Sequence, residues 1–164
     1  MLRRGGFTLI ELLITVAVLA VGATLAAPGA MQMIASRKVQ TAAQSIVDGL
    51  NKARAEAVRR NSPVQFALRT DGIGWNLTQP SSGETLQSYS SRDWNTLQIT
   101  SQGAATSVTF LATGVRQAGG TPLSQVTVSS PVGSGPTRIV NVFGGGLIRM
   151  CDPGVTAVND PRRC

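Results

Sequence analysis

Histidine is absent from this chain of 164 residues. Its absence excludes an acid–base site built on histidine, a Ser-His-Asp triad and a histidine-ligated metal. The eight acidic residues are scattered, and none forms a close pair at helical spacing. We therefore expect no enzyme activity, no metal and no cofactor. A membrane-anchored enzyme is the weakest alternative, because only scattered Ser, Thr and Asp residues support it.

Aromatic and charged residues are also scarce, at 4% and 14% of the chain, whereas glycine is common at 18 residues. This composition favours a β-rich fold with many turns over a dense aromatic core. The length suits one modest domain with an anchor.

Cysteine occurs only twice, as Cys151 and Cys164, both within the last 14 residues. Two cysteines are too few for a structural zinc site. In a chain that carries an export signal, a pair so placed predicts a disulfide that closes a C-terminal loop.

The charge balance is basic, with a formal net charge of +7 and only two lysines among 15 basic residues. Arginine suits bidentate contacts with phosphate. The balance is compatible with nucleic acid or anionic lipid, but a solvated basic surface is the commoner explanation.

An apolar segment, residues 7–34, follows Arg3 and Arg4 and contains one charged residue, Glu11. A bilayer needs about 20 apolar residues, and the arginines predict that the N-terminus faces the cytoplasm. We therefore expect a single membrane pass with the remainder of the chain in the periplasm. The alternative is an ordinary signal peptide, cleaved near the small residues AAPGA at 26–30.

The stretch GGFTLIELL, residues 5–13, resembles the class III signal of type IV pilins and type II secretion pseudopilins. The resemblance implies that prepilin peptidase cleaves between Gly6 and Phe7 and methylates the new amine of Phe7. Residues 1–6 are then a leader peptide, and the apolar segment stays in the mature protein.

Glu11 requires an explanation, because a charge within a membrane helix costs roughly 2.5–3.5 kcal/mol on insertion scales. The resemblance implies that its carboxylate meets the Phe7 amine of a neighbouring subunit during assembly. The alternative is that Glu11 simply lies at the headgroup boundary. For Pro28, the resemblance implies an assembly role as a point where the helix bends or melts in the filament. A simple kink is the alternative.

The second half of the helix, residues 35–62, is amphipathic. Its apolar residues follow helical spacing: Val39, Ala43, Ile46, Val47, Leu50, Ala53, Ala57 and Val58. Asn61-Ser62-Pro63 predicts where the helix ends. We expect the apolar stripe to pack on a globular domain and the basic outer face to be solvated.

Residues 63–164 alternate apolar and polar positions in six or seven short runs separated by Gly, Pro and Ser. This pattern predicts an α+β fold in which a long N-terminal helix packs on an antiparallel β domain. The expected strands lie within 64–70, 75–79, 96–102, 107–113, 124–130, 137–143 and 146–151.

The stretches LNKARAEAVRRNSPVQF, GWNL, SVTFLATG and GLIRMCDPG…DPRRC are similar to the GspH/FimT family. The resemblance implies a type IV pilin-like fold, an inner-membrane location, and prepilin peptidase and other pilin subunits as partners. The C-terminal Cys-Asp-Pro and Pro-Arg-Arg-Cys favour FimT-like minor pilins, which enter or prime a type IV pilus. The alternative is a GspH-like pseudopilin with a structural role in type II secretion.

Some FimT-like pilins bind DNA through a Gly-Arg-x-Arg loop during DNA uptake. In residues 146–149 of this chain, Leu147 replaces the first arginine. Arg149, Arg162 and Arg163 would remain for weak, sequence-independent contact with double-stranded DNA. The alternative, slightly favoured, is that the arginines pair with Asp152 and Asp160.

Overall fold

The computed structural model describes residues 8–131 and 135–164, apart from the side chains of residues 25–28. The chain divides into two compact units, Met1–Ile34 and Ala35–Cys164. Helix α1 (Leu9–Arg60) runs through both units. All strands in the described ranges belong to the second unit, and the predicted α+β fold with a long N-terminal helix is confirmed.

The buried face of α1 in the second unit follows helical spacing. Its members are apolar and mostly small: Val39, Ala42, Ala43, Ile46, Leu50, Ala53 and Ala57. Gly49 lets the helix backbone approach the ring of Trp75 closely, because a Cβ at this position would lie 2.7 Å from Trp75 Cε2. The prediction was wrong for Val58, which is exposed.

The helix ends at Arg60, as the sequence predicts. Asn61 takes the left-handed conformation, with φ of 48°. Asparagine tolerates this conformation better than most residues. The turn then lets Ser62 N donate to Ala57 O at 3.2 Å, which satisfies a carbonyl at the helix end.

Eight strands follow the helix. Their bounds are β1 (Val64–Leu68), β2 (Gly74–Gln79), β3 (Glu84–Ser90), β4 (Gln98–Ser101), β5 (Ser107–Phe110), β6 (Gln125–Ser129), β7 (Thr137–Val142) and β8 (Ile148–Cys151). They form two four-stranded sheets, with orders β3-β2-β1-β5 and β4-β6-β7-β8. Every pairing between these strands is antiparallel.

The sequence analysis did not predict strand β3, because its residues do not alternate regularly between apolar and polar. Leu77 of β2 pairs with Gln87, while Thr78 pairs with Thr85, so the register shifts at a β-bulge. Leu86 and Tyr89 consequently both pack against the core although they are three residues apart. A bulge adds one residue to a strand, and the period of two is lost.

Both sheets contribute to one core with α1. The second unit buries Phe66 and Trp75 from the first sheet and Val128 and Val140 from the second. Trp75 Nε1 donates to Ser45 Oγ of α1 at 3.1 Å, so the buried indole keeps a polar partner.

Candidate functional site

The start of α1 carries the residues that the N-terminal motif singles out. Gly6, Phe7 and the predicted leader lie outside the described residues. Thr8 caps the helix, since its Oγ1 accepts from Glu11 N at 3.3 Å and its carbonyl accepts from Leu12 N at 3.2 Å. Glu11 lies in the first turn, where a carboxylate interacts favourably with the helix dipole.

The side chain of Glu11 is exposed, and it forms no ion pair within the described parts of the chain. Pro28 falls within α1, but its side chain is among those not described.

The first unit exposes an almost continuous apolar surface. Among its described side chains, twelve large apolar ones are exposed: Leu9, Ile10, Leu12, Leu13, Ile14, Val16, Val18, Leu19, Val21, Met31, Met33 and Ile34. Exposed apolar surface on this scale marks a membrane or protein contact. Within the described residues, no single straight helix is long and apolar enough to cross a membrane. The segments Leu9–Thr24 and Gly29–Arg60 of α1 are bent relative to each other, and together they meet the criteria of length and hydropathy.

The C-terminal loop is closed by the disulfide that the sequence predicts, between Cys151 and Cys164, with their Cα atoms 5.1 Å apart. Asp152 N donates to Arg162 O at 2.6 Å, and Asp152 forms a parallel bridge with Arg163. The returning chain therefore lies beside the end of β8, an edge strand. Such an edge is otherwise open to pairing with another chain.

The structure places Arg162 and Arg163 in this loop and Arg149 in β8 beside it, and the three predicted DNA-contacting arginines have different partners. Arg162 Nη2 lies 2.7 Å from Asp160 Oδ2. Arg149 Nη2 donates to the carbonyls of Pro161, at 3.0 Å, and Arg163, at 2.9 Å. Arg163 is exposed, and its side chain has no polar partner in the described ranges.

The ion pairs reduce the free positive charge of the loop. The guanidinium of Arg162, with its backbone N–H, lowers the pKa of Asp160 to about 2. Asp160 in turn raises the pKa of Arg162. The predicted pairing of the arginines with acids is thus found for Asp160.

Asp152 pairs instead with Arg138, a residue of β7 that the sequence analysis did not single out. Their Nη1 and Oδ2 atoms lie 2.6 Å apart, and both side chains are largely buried. Arg138 Nε also donates to Gln40 Oε1 of α1 at 2.9 Å. This contact joins the helix, the second sheet and the C-terminal loop. Nothing in the local sequence signals it, because the partners lie far apart in the chain.

The chain combines a long helix, whose first half exposes apolar side chains, with an antiparallel β domain and a C-terminal loop closed by a disulfide. This combination defines a pilin-like subunit. Residues 42–146 match the family model described as Type II transport protein GspH, and residues 1–27 match the prokaryotic N-terminal methylation motif. The chain belongs to the GspH family. The family and the motif imply a membrane-anchored subunit of a pilus or pseudopilus.

Two solved structures share this fold. The type IV minor pilin FimU of Pseudomonas aeruginosa is 22% identical, with a TM-score of 0.56 over 70% of this chain and 88% of FimU. The minor pseudopilin EpsH from the type 2 secretion system of Vibrio cholerae is 16% identical, with a TM-score of 0.54 over 72% of this chain and 99% of EpsH. A search of curated proteins returned no significant match.

Proposed function

We propose that the chain is a minor subunit that enters or primes a type IV pilus, after cleavage between Gly6 and Phe7 and methylation of Phe7. The exposed apolar side chains within residues 9–24 and 29–34 carry this proposal. Removing apolar surface from water stabilises a protein by about 25 cal/mol per Å², so this surface is expected to be covered by lipid or by neighbouring helices. Before assembly, this segment crosses the membrane once, with the second unit in the periplasm, and lipid covers the apolar surface. In the filament, the helices of neighbouring subunits cover it.

Glu11 sets the register of assembly in this proposal. Its exposed carboxylate, which forms no ion pair among the described residues, meets the cationic amine of Phe7 from an adjacent subunit. A paired buried charge is tolerated, whereas a buried charge that loses its partner costs about 3–5 kcal/mol. Register shifts are therefore disfavoured. Pro28 removes one helix hydrogen bond, which permits a local bend when the helices pack.

The matching experiment compares Glu11→Gln with Thr15→Ala in full-length protein. Gln keeps the size of the side chain and removes its charge, while Thr15 lies one turn further along the same face. We expect Glu11→Gln to be cleaved normally but lost from sheared filaments, and Thr15→Ala to be retained. Equal retention of both variants would contradict the role of Glu11.

The choice of a pilus over a type II secretion pseudopilus is supported by the sequence of the C-terminal loop, whose Cys-Asp-Pro and Pro-Arg-Arg-Cys are FimT-like. Deletion of the chain should then abolish or reduce surface pili and leave protein secretion intact. A secretion defect with normal pili would assign the chain to the pseudopilus as a structural subunit.

A second candidate function is contact with double-stranded DNA by the C-terminal loop. Its support is a surplus of positive charge: Arg149 is held by neutral carbonyls, and Arg163 has no acidic partner within the described residues. If Arg149, Arg162 and Arg163 all contact phosphates, the slope of log affinity against log salt is about −3. If DNA binding is unchanged when Arg149, Arg162 and Arg163 are all replaced by alanine, the C-terminal loop is not the DNA contact.

A further inference from the structure

Two turns, one with a single glycine and one with three in a row, meet the end of α1 at one corner of the second unit. In the turn 111–115, Leu111 N donates to Val115 O at 2.9 Å, and in the turn 143–147, Phe143 N donates to Leu147 O at 2.9 Å. Arg116 N donates to Gly144 O at 3.1 Å and joins the two turns.

The turns pack directly on each other and on the helix. A Cβ on Gly146 would lie 2.1 Å from Gly114 O. A Cβ on Gly114 would lie 3.2 Å from Arg54 Nε and 3.3 Å from Val58 Cγ2. These contacts place the three segments side by side, in positions fixed by backbone packing.

Exposed apolar side chains are concentrated at this corner. The described residues of the second unit expose five large apolar side chains, and four of them come from these segments. They are Val58 at 53%, Val115 at 40%, Phe143 at 47% and Leu147 at 59% exposure. The fifth, Val158, is 79% exposed and lies in the C-terminal loop. We call these four residues the Phe143 corner.

Positive charge without a carboxylate partner borders the Phe143 corner. Arg54 and Arg116 are half-buried, and neither lies within salt-bridge distance of an acid in the described ranges. Arg116 Nη1 donates to the neutral carbonyl of Val142, at 3.4 Å. Of the eleven other cations of the unit, six have acidic partners: Lys38, Arg59, Arg60, Arg69, Arg138 and Arg162. The other five form no ion pair among the described residues: Arg37, Lys52, Arg92, Arg149 and Arg163.

We propose that the Phe143 corner docks the globular domain of a different subunit in the same filament, one that presents an apolar side chain beside a carboxylate. The proposal rests on the proposed function, since it names a contact within the filament. Charge complementarity identifies the occupant, because a carboxylate would satisfy Arg54 and Arg116 as the apolar surfaces close. A second copy of this chain would bring arginine against arginine in a symmetric contact.

The composition of the corner suits an interface core. Phenylalanine is enriched in interfaces, and so is arginine, the residue type that borders the corner at Arg54 and Arg116. A few residues of an interface typically carry most of its binding free energy. Leu147 replaces the arginine that the family resemblance places in a DNA-contacting loop. A phosphate contact at this position would need a cation, whereas the exposed Leu147 side chain is apolar and suits a protein contact.

The experiment uses the full-length chain in cells that assemble the filament. Phe143→p-benzoyl-phenylalanine introduces a photo-cross-linker at the corner, and Val158→p-benzoyl-phenylalanine is the matched control at another exposed apolar residue. Adducts in the sheared filament fraction are identified by mass spectrometry. Arg116→Glu is combined with each cross-linker, and Leu147→Ser provides a second, milder disruption of the corner.

The expected result is an adduct from Phe143 with a different pilin-like subunit, at a peptide that carries Asp or Glu. Loss of a central interface contact typically weakens binding about tenfold or more, so Arg116→Glu and Leu147→Ser should each reduce the adduct by that factor. The Val158 control should not give this adduct. An adduct only with a second copy or with lipid, or none while the chain is present in filaments, overturns the proposal. Absence of the wild-type chain from filaments overturns the proposed function and this contact with it.

Discussion

Replacing Gly146 with alanine should strongly destabilise the second unit. Gly146 has φ of 82°, a conformation that costs an L-residue roughly 1–2 kcal/mol. The added Cβ would also lie 2.1 Å from the carbonyl oxygen of Gly114 and 3.3 Å from Arg54 Nε. Overpacking of this kind typically costs about 1–3 kcal/mol. The free energy of unfolding should therefore fall by about 2–5 kcal/mol.

Gly145→Ala is the matched control for this prediction. Gly145 has no left-handed φ, and a Cβ there meets no atom within 4 Å. Its effect should lie within about 0.5 kcal/mol of zero, as for ordinary surface substitutions. Urea unfolding of purified residues 35–164, which contain the whole buried core, measures both variants. If Gly146→Ala is no more destabilising than Gly145→Ala, the close packing of the two turns is wrong.

Three further predictions concern the second unit. Removing the Cys151–Cys164 disulfide should lower the free energy of unfolding by about 3 kcal/mol, since it closes a loop with a sequence separation of 13; equal urea midpoints for oxidised and reduced protein would contradict this. Two arginine partners lower the pKa of Glu56 from 4.5 to about 2. Its stabilising contribution should therefore be complete above pH 4.5 and disappear as the pH falls towards 2, and Glu56→Gln should flatten that part of a melting-temperature profile. Gly49→Leu should lower the melting temperature sharply, because Trp75 Cε2 lies 2.7 Å from the added Cβ, whereas an unchanged melting temperature would show that α1 can move away from the sheet.

The elements predicted from the sequence are those that depend on local pattern. The amphipathic half of α1 follows from helical spacing, and its end at Arg60 follows from the turn chemistry of Asn61 and Pro63. The pairing of Cys151 with Cys164 follows because the chain offers no other cysteine.

The features that were missed depend on contacts between distant parts of the chain. The bulge at Leu86 disrupts the alternation that would identify β3. The ion pair between Arg138 and Asp152 joins β7 to the C-terminal loop, a tertiary contact that a single sequence does not specify. Val58 looks like part of the buried stripe, but the fold leaves it exposed beside the two turns.

The most direct test of the account is the N-terminus of the full-length chain recovered from membranes, determined by mass spectrometry of the intact protein and its first peptide. The account predicts a mature chain that begins at Phe7 with a methylated amine and retains residues 7–34. Gly6→Leu should block this processing, whereas Gly5→Ala provides a control one residue away. A mature chain that begins within or just after residues 26–30 would instead show ordinary signal-peptide cleavage and contradict assembly through α1.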